Sequence, residues 1–171
     1  MKMSRKVSIL LCQQALLAST AFAGNNAVLT ITGNIEKSNQ PDKKSYVFSL
    51  KTLKQLPHTV VHTKTKWTAE SDFAGPTIRD ILKAVGAKAD AKEVTVQTVD
   101  NYPVTIPIAD FQKWDAVLAH SLNSKRLPAA KAPLWVIYPF DTHPAELNNN
   151  DTLSKSAWAV KGLIVQQPDQ S

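Results

Sequence analysis

The 171-residue chain has a single cysteine, Cys12, and only five glycines. One thiol closes no internal disulfide and builds neither a cysteine-ligated metal centre nor a CxxC redox pair. Five scattered glycines leave no phosphate-cradling Walker loop and no Gly-x-Gly-x-x-Gly dinucleotide fingerprint. No Gly-x-Ser-x-Gly segment is present either, so a serine-hydrolase reading has no nucleophile to start from. No apolar run approaches the ~20 residues that cross a bilayer, which argues against a membrane-embedded protein. The formal charge of +6 comes from 20 basic and 14 acidic residues, but three of the basic ones fall within the first six positions. The other 17 are dispersed without a dense basic and aromatic cluster, so a nucleic-acid surface is not expected.

What is present begins with the N-terminus. Met1-Lys2-Met3-Ser4-Arg5-Lys6 precedes an apolar stretch over 7–17 and a small-residue end, Ala21-Phe22-Ala23, which is the pattern of a secretory signal peptide. Cleavage is expected after Ala23, leaving residues 24–171 as one exported, periplasmic domain. A bulky Leu11 before Cys12 does not suit lipoprotein processing, so Cys12 leaves with the signal. Thiolate chemistry is thereby excluded from the mature chain.

The rest of the chain reads as many strands and few helices, an α+β domain with a mixed β-sheet. Strands are expected over 28–33, 46–50 and 59–63, and a helix is expected from Gly75-Pro76 to Gly86. Ile78, Ile81, Leu82 and Val85 share one face of that helix, with proline at its first position. Residues 93–99 and 102–106 form a hairpin across Asp100-Asn101. Further strands are expected over 117–122, 134–138 and 157–165, with a long polar connection over 141–156.

Side chains able to do chemistry are sparse. His58 and His62 have the four-residue spacing that chelates zinc on a helix, but their β-branched segment is a strand. There the two lie ~13 Å apart, too far to share an ion. His120 and His143 have no accompanying nucleophile motif. Trp135 and Trp158 fall inside strand runs and are expected in the core. Trp67 leaves a strand into a polar loop, where a pocket rim and the core are equally good places for it.

Several segments, in order, resemble the sulfite-oxidase-like molybdopterin-binding domain. Phe73-Ala74-Gly75 with Ile78-Arg79-Asp80-Ile81-Leu82 is similar to that family's aromatic-x-Gly-x-x-Leu-x-Asp-Leu-Leu helix start. Asp100-Asn101-Tyr102-Pro103 is similar to its Asp-Gly-Tyr hairpin. Leu118-Ala119-His120-Ser121-Leu122-Asn123 with Leu127-Pro128 resembles its Leu-Ala-Tyr-x-x-Asn-Gly-x-x-Leu segment, Ala132-Pro133-Leu134-Trp135-Val136-Ile137-Tyr138-Pro139 resembles its Ala-Pro-Leu-Arg-Leu-Val-Val-Pro strand, and Ser156-Ala157-Trp158 resembles its closing Val-Lys-Trp strand. The resemblance implies that family's mixed α+β fold and a pocket bordered by Thr63, Trp67, Asp100, Tyr102 and His120. It also implies a molybdenum-ligating cysteine before the helix start. Counting back from Gly75, that position is Thr63.

A threonine hydroxyl is a poor ligand for a soft-ligand site at neutral pH. Beyond residue 23 the chain has only two arginines, Arg79 and Arg126, to grip a phosphate tail. The expected function is therefore a non-catalytic module without cofactor, whose former pocket takes a small molecule or a periplasmic protein such as a membrane sensor. The alternative is a periplasmic molybdopterin-dependent oxidoreductase.

Overall fold

The computed structural model describes residues 26–167. The expected signal peptide, its cleavage site and Cys12 lie outside the described residues. In chain order the first part comprises β1 (Ala27–Gly33), β2 (Tyr46–Ser49), α1 (Leu50–Leu53), β3 (Thr59–Thr65), β4 (Thr68–Gly75) and α2 (Ile78–Val85). The hairpin β5 (Glu93–Thr98) and β6 (Pro103–Pro107) follows, then α3 (Ile108–Trp114), β7 (Val117–Ala119), β8 (Ser121–Leu122) and β9 (Lys125–Arg126). The chain closes with β10 (Trp135–Ile137), α4 (Pro144–Leu147), α5 (Asn150–Lys155) and β11 (Val160–Gln166).

Leu29 and Ile31 alternate with less buried neighbours along β1, the period of two that one packed sheet face requires. That strand runs parallel to β11 and antiparallel to β2, inside a five-stranded sheet of order β2-β1-β11-β5-β6. The apolar face of α2 (Ile78, Ile81, Leu82 and Val85) and Phe111 of α3 pack with this sheet into the larger core. A second sheet, β3-β4-β8-β9, is antiparallel throughout. Between the two lies the antiparallel ribbon of β7 and β10, every residue of which is buried. Strand alternation sends Leu118 and Val136 into the larger core, while Val117, Ala119, Trp135 and Ile137 join Phe73 and Leu127 in a smaller one.

The α+β architecture and the hairpin across Asp100-Asn101 are as expected, with Asn101 at φ 62° in the turn. Helix α2 ends on Gly86 in the left-handed region, φ 66°. Its start differs, because Thr77 is the cap. The Thr77 hydroxyl accepts the Asp80 N–H at 3.0 Å and Pro76 stands outside the helix. Leu50 opens α1 rather than ending a strand, since Ser49 and Thr52 form a reciprocal capping box. The expected strand over 117–122 breaks at His120, and the last strand begins only at Val160, after Ala159 at φ 51°. The polar connection over 141–156 carries α4 and α5.

Candidate functional site

Thr63 lies on the buried face of β3 with no exposed surface. Its hydroxyl accepts the Asp141 N–H at 3.1 Å and donates to the Lys64 carbonyl at 3.3 Å. The Asp141 carboxylate in turn accepts the Lys64 N–H at 2.6 Å. This reciprocal clamp fastens β3 to the segment after β10 and engages the hydroxyl proton.

Two residues on, the β3–β4 connection turns on Thr65, whose hydroxyl accepts the N–H groups of Trp67 and Thr68 at 3.1 Å each. The turn holds the Trp67 ring at the strand exit, 37% exposed. There it meets Trp158 edge to face with ring centroids 5.0 Å apart, and Trp135 at 6.1 Å. Trp135 is fixed from behind by Phe73 at 5.5 Å and by an indole N–H bond to the Ser156 carbonyl at 3.2 Å. The Ala159 N–H bonds the Lys131 carbonyl at 3.0 Å, which sets Lys131 beside Trp158. The Lys131 ammonium nitrogen lies 2.9 Å from the Trp158 ring centroid and 5.1 and 5.3 Å from those of Trp135 and Trp67. Burial lowers the pKa of that ammonium.

Asp100 and Tyr102 reach the same neighbourhood from the β5–β6 turn. Buried Thr98 organises that turn: its hydroxyl accepts the Tyr102 N–H at 2.9 Å and donates to the Asp100 carboxylate. The Thr98 bond above all, with help from the Asp100 and Tyr102 amides, holds the Asp100 carboxyl below its ordinary pKa. Trp67, Asp100, Tyr102 and Trp158 border one cleft of about 330 Å³, floored by Ser156 and edged by α5.

Thr63, fully buried, does not line this cleft, and His120 does not join it either, contrary to the expected shared pocket. The chain leaves β7 at this residue to pair with β4 as β8, and the His120 N–H bonds the Ala74 carbonyl at 2.9 Å. Its imidazole meets His58, just ahead of β3, with the two Nε2 atoms 2.6 Å apart. Trp67 lies past the other end of β3, and seven residues of strand separate the two by roughly 20 Å. Burial first, then the charges of His58 and Lys54, push the His120 pKa down to about 4. The imidazole borders a different cleft, of about 810 Å³, shared with Lys51 and Arg126. His62 instead pairs with Asp72 across the β3–β4 ladder at 2.7 Å. Among the described residues no group of three or more His, Cys, Asp or Glu is placed to hold a metal ion.

Sequence reasoning missed Lys131 and assigned Trp158 to the core alone. Neither has a local signal, because the position of each depends on the long-range bond between residues 131 and 159.

A mixed sheet backed by helices together with a second antiparallel sheet is the architecture of the sulfite-oxidase-like class of α+β domain. The family model described as the oxidoreductase molybdopterin binding domain matches residues 28–140, and the chain belongs to that family. Among solved structures, it is similar to the sulfane dehydrogenase SoxCD from Paracoccus pantotrophus, with a TM-score of 0.56 and 15% identity. The match covers 81% of this chain and 37% of that one, so the chain spans little more than a third of that neighbour's length. At this identity the likeness is one of fold. No curated protein matches.

The residues present do not fit a protein-ligated molybdenum centre. At the expected metal-ligand position stands a neutral hydroxyl with its proton already donated to a backbone carbonyl. Arg79 is paired with Asp115 at 2.7 Å, and Arg126 borders the other cleft. Neither guanidinium lines the cleft beside Trp67.

Proposed function

We propose that this domain works without the metal centre of its family and binds a small organic ligand in the cleft bordered by Trp67, Asp100 and Tyr102. The observation that carries this reading is the Thr63 hydroxyl, buried and clamped between Asp141 and Lys64. A thiolate there would be a strong soft ligand, whereas an alcohol ionises far above neutral pH and stays a hydrogen-bonding group. The cleft volume of about 330 Å³ suits a small molecule. In this reading the domain is exported to the periplasm, and its loaded or empty state is passed to a protein partner such as a membrane sensor.

The family match over residues 28–140 favours a second reading, a periplasmic oxidoreductase in which the pterin is held without a metal–protein bond. The two separate on one measurement. Protein purified from its own periplasm is analysed for molybdenum by mass spectrometry and for oxidised pterin by fluorescence. The first reading expects neither above trace level. One molybdenum and one pterin per chain would overturn it in favour of the second.

A further inference from the structure

Resting on that reading of the cleft, we infer that its ligand is a small organic cation, a quaternary or protonated amine of about the size of choline. Three observations support this. The tryptophan cluster already holds one cation: the Lys131 ammonium nitrogen sits 2.9 Å from the Trp158 ring centroid and within 5.3 Å of those of Trp67 and Trp135. Among the described residues no carboxylate lies within ion-pair distance of Lys131, so the negative faces of the rings are what offset its desolvation. Trp67 and Trp158 also border the cleft, and Tyr102 supplies a third aromatic wall that is 60% exposed.

The second observation is charge. Asp100 is the one charged residue that lines the cleft, and the Thr98 hydroxyl keeps it ionised by lowering its pKa. Of the neighbouring basic side chains, Lys161 is held to the Asn101 side chain at 2.7 Å and Lys131 lies over the Trp158 ring, and neither lines the cleft. The third is hydrogen-bond polarity. The Ser154 hydroxyl donates to the Asp151 carbonyl at 2.7 Å and the Ser156 hydroxyl to the Thr152 carbonyl at 3.1 Å, while the Thr98 hydroxyl is engaged between the Tyr102 N–H and the Asp100 carboxylate. With its proton donated, the exposed Ser154 hydroxyl offers a ligand lone pairs. Aromatic walls, one carboxylate and an exposed hydroxyl acceptor are the complement of an ammonium group, and methylated ammonium gains most because it is weakly hydrated.

The test uses the purified chain, with binding followed by calorimetry and by indole fluorescence. Choline and tetramethylammonium are titrated against 3,3-dimethyl-1-butanol, which has the shape of choline without its charge. The cations are expected to bind at least about tenfold tighter than the neutral isostere. Asp100→Asn should remove most of that difference, and Tyr102→Ala, a change at an exposed ring that leaves the core intact, should weaken cation binding by a similar factor. Equal affinity for choline and the isostere overturns the cation assignment, as does cation binding that neither variant alters. Either result with no molybdenum in the periplasmic protein leaves the ligand-binding reading standing. Stoichiometric molybdenum and pterin would instead remove the reading on which this inference rests.

Discussion

His120 shows how position sets the charge state of a single side chain. Partial burial and the neighbouring His58 and Lys54 oppose its protonation, and its pKa falls from 6.5 to about 4. Unfolding frees the imidazole to take up a proton at its ordinary value. Between pH 6.5 and about 4 the unfolded chain therefore binds the proton that the folded chain refuses, so stability falls as pH falls through that window. His62 works in the opposite direction and in a different window. Its bond to Asp72 raises its pKa, so its contribution is complete below 6.5 and is lost as pH rises through the raised value. Replacing His120 by Gln should flatten the acid limb of a plot of thermal midpoint against pH while leaving the neutral limb in place. An acid limb that is the same in the variant and the parent would show that His120 is not the group responsible.

Among the elements, β4 depends on a residue with no side chain. A methyl group built on Gly75 would lie 2.1 Å from the Leu118 carbonyl oxygen and 2.8 Å from its carbon, both backbone atoms of β7 that cannot rotate away. Gly75→Ala should therefore force the β4 and β7 backbones apart. We expect it to lower stability by about 3 kcal/mol, read as an earlier urea midpoint with unchanged slope. A midpoint within error of the parent would show that the two strands do not approach this closely. The same strand shows why sequence patterning recovered some elements and not others. Helix α2 was legible because four large aliphatic side chains repeat on one face ahead of a left-handed glycine, although its start was read at Pro76 rather than at the Thr77 cap. The buried positions of β4 are Ser71, Phe73 and Gly75, so two of its three inward residues carry no hydrophobic signal and the segment reads as a polar loop. The site was legible to the same extent. Trp67 and the Asp100–Tyr102 turn stand out locally, at a strand exit and a hairpin. Placing His120 required the register of β3 against β4, which no local pattern specifies.

At the scale of the whole molecule, the described residues pack around two apolar clusters rather than one. The larger cluster contains Leu118, Leu134, Val136 and Tyr138, and the smaller contains Val117, Ala119, Trp135 and Ile137, so alternate residues of the same two strands belong to both. The ribbon is also bonded to both flanking segments, with the Leu118 N–H on the Pro76 carbonyl at 2.9 Å and the Val136 N–H on the Ala157 carbonyl at 2.8 Å. A partition that serves two rooms cannot be taken down from one side. Exposing either cluster to water strips one face of the ribbon and so removes a wall of the other, which couples the halves into one cooperative unit. Deuterium exchange at the Leu118 and Val136 amides should accordingly proceed only by global opening, with the free energy of whole-chain unfolding and the same dependence on denaturant. Exchange of either amide through a smaller opening would mean that the two clusters melt separately.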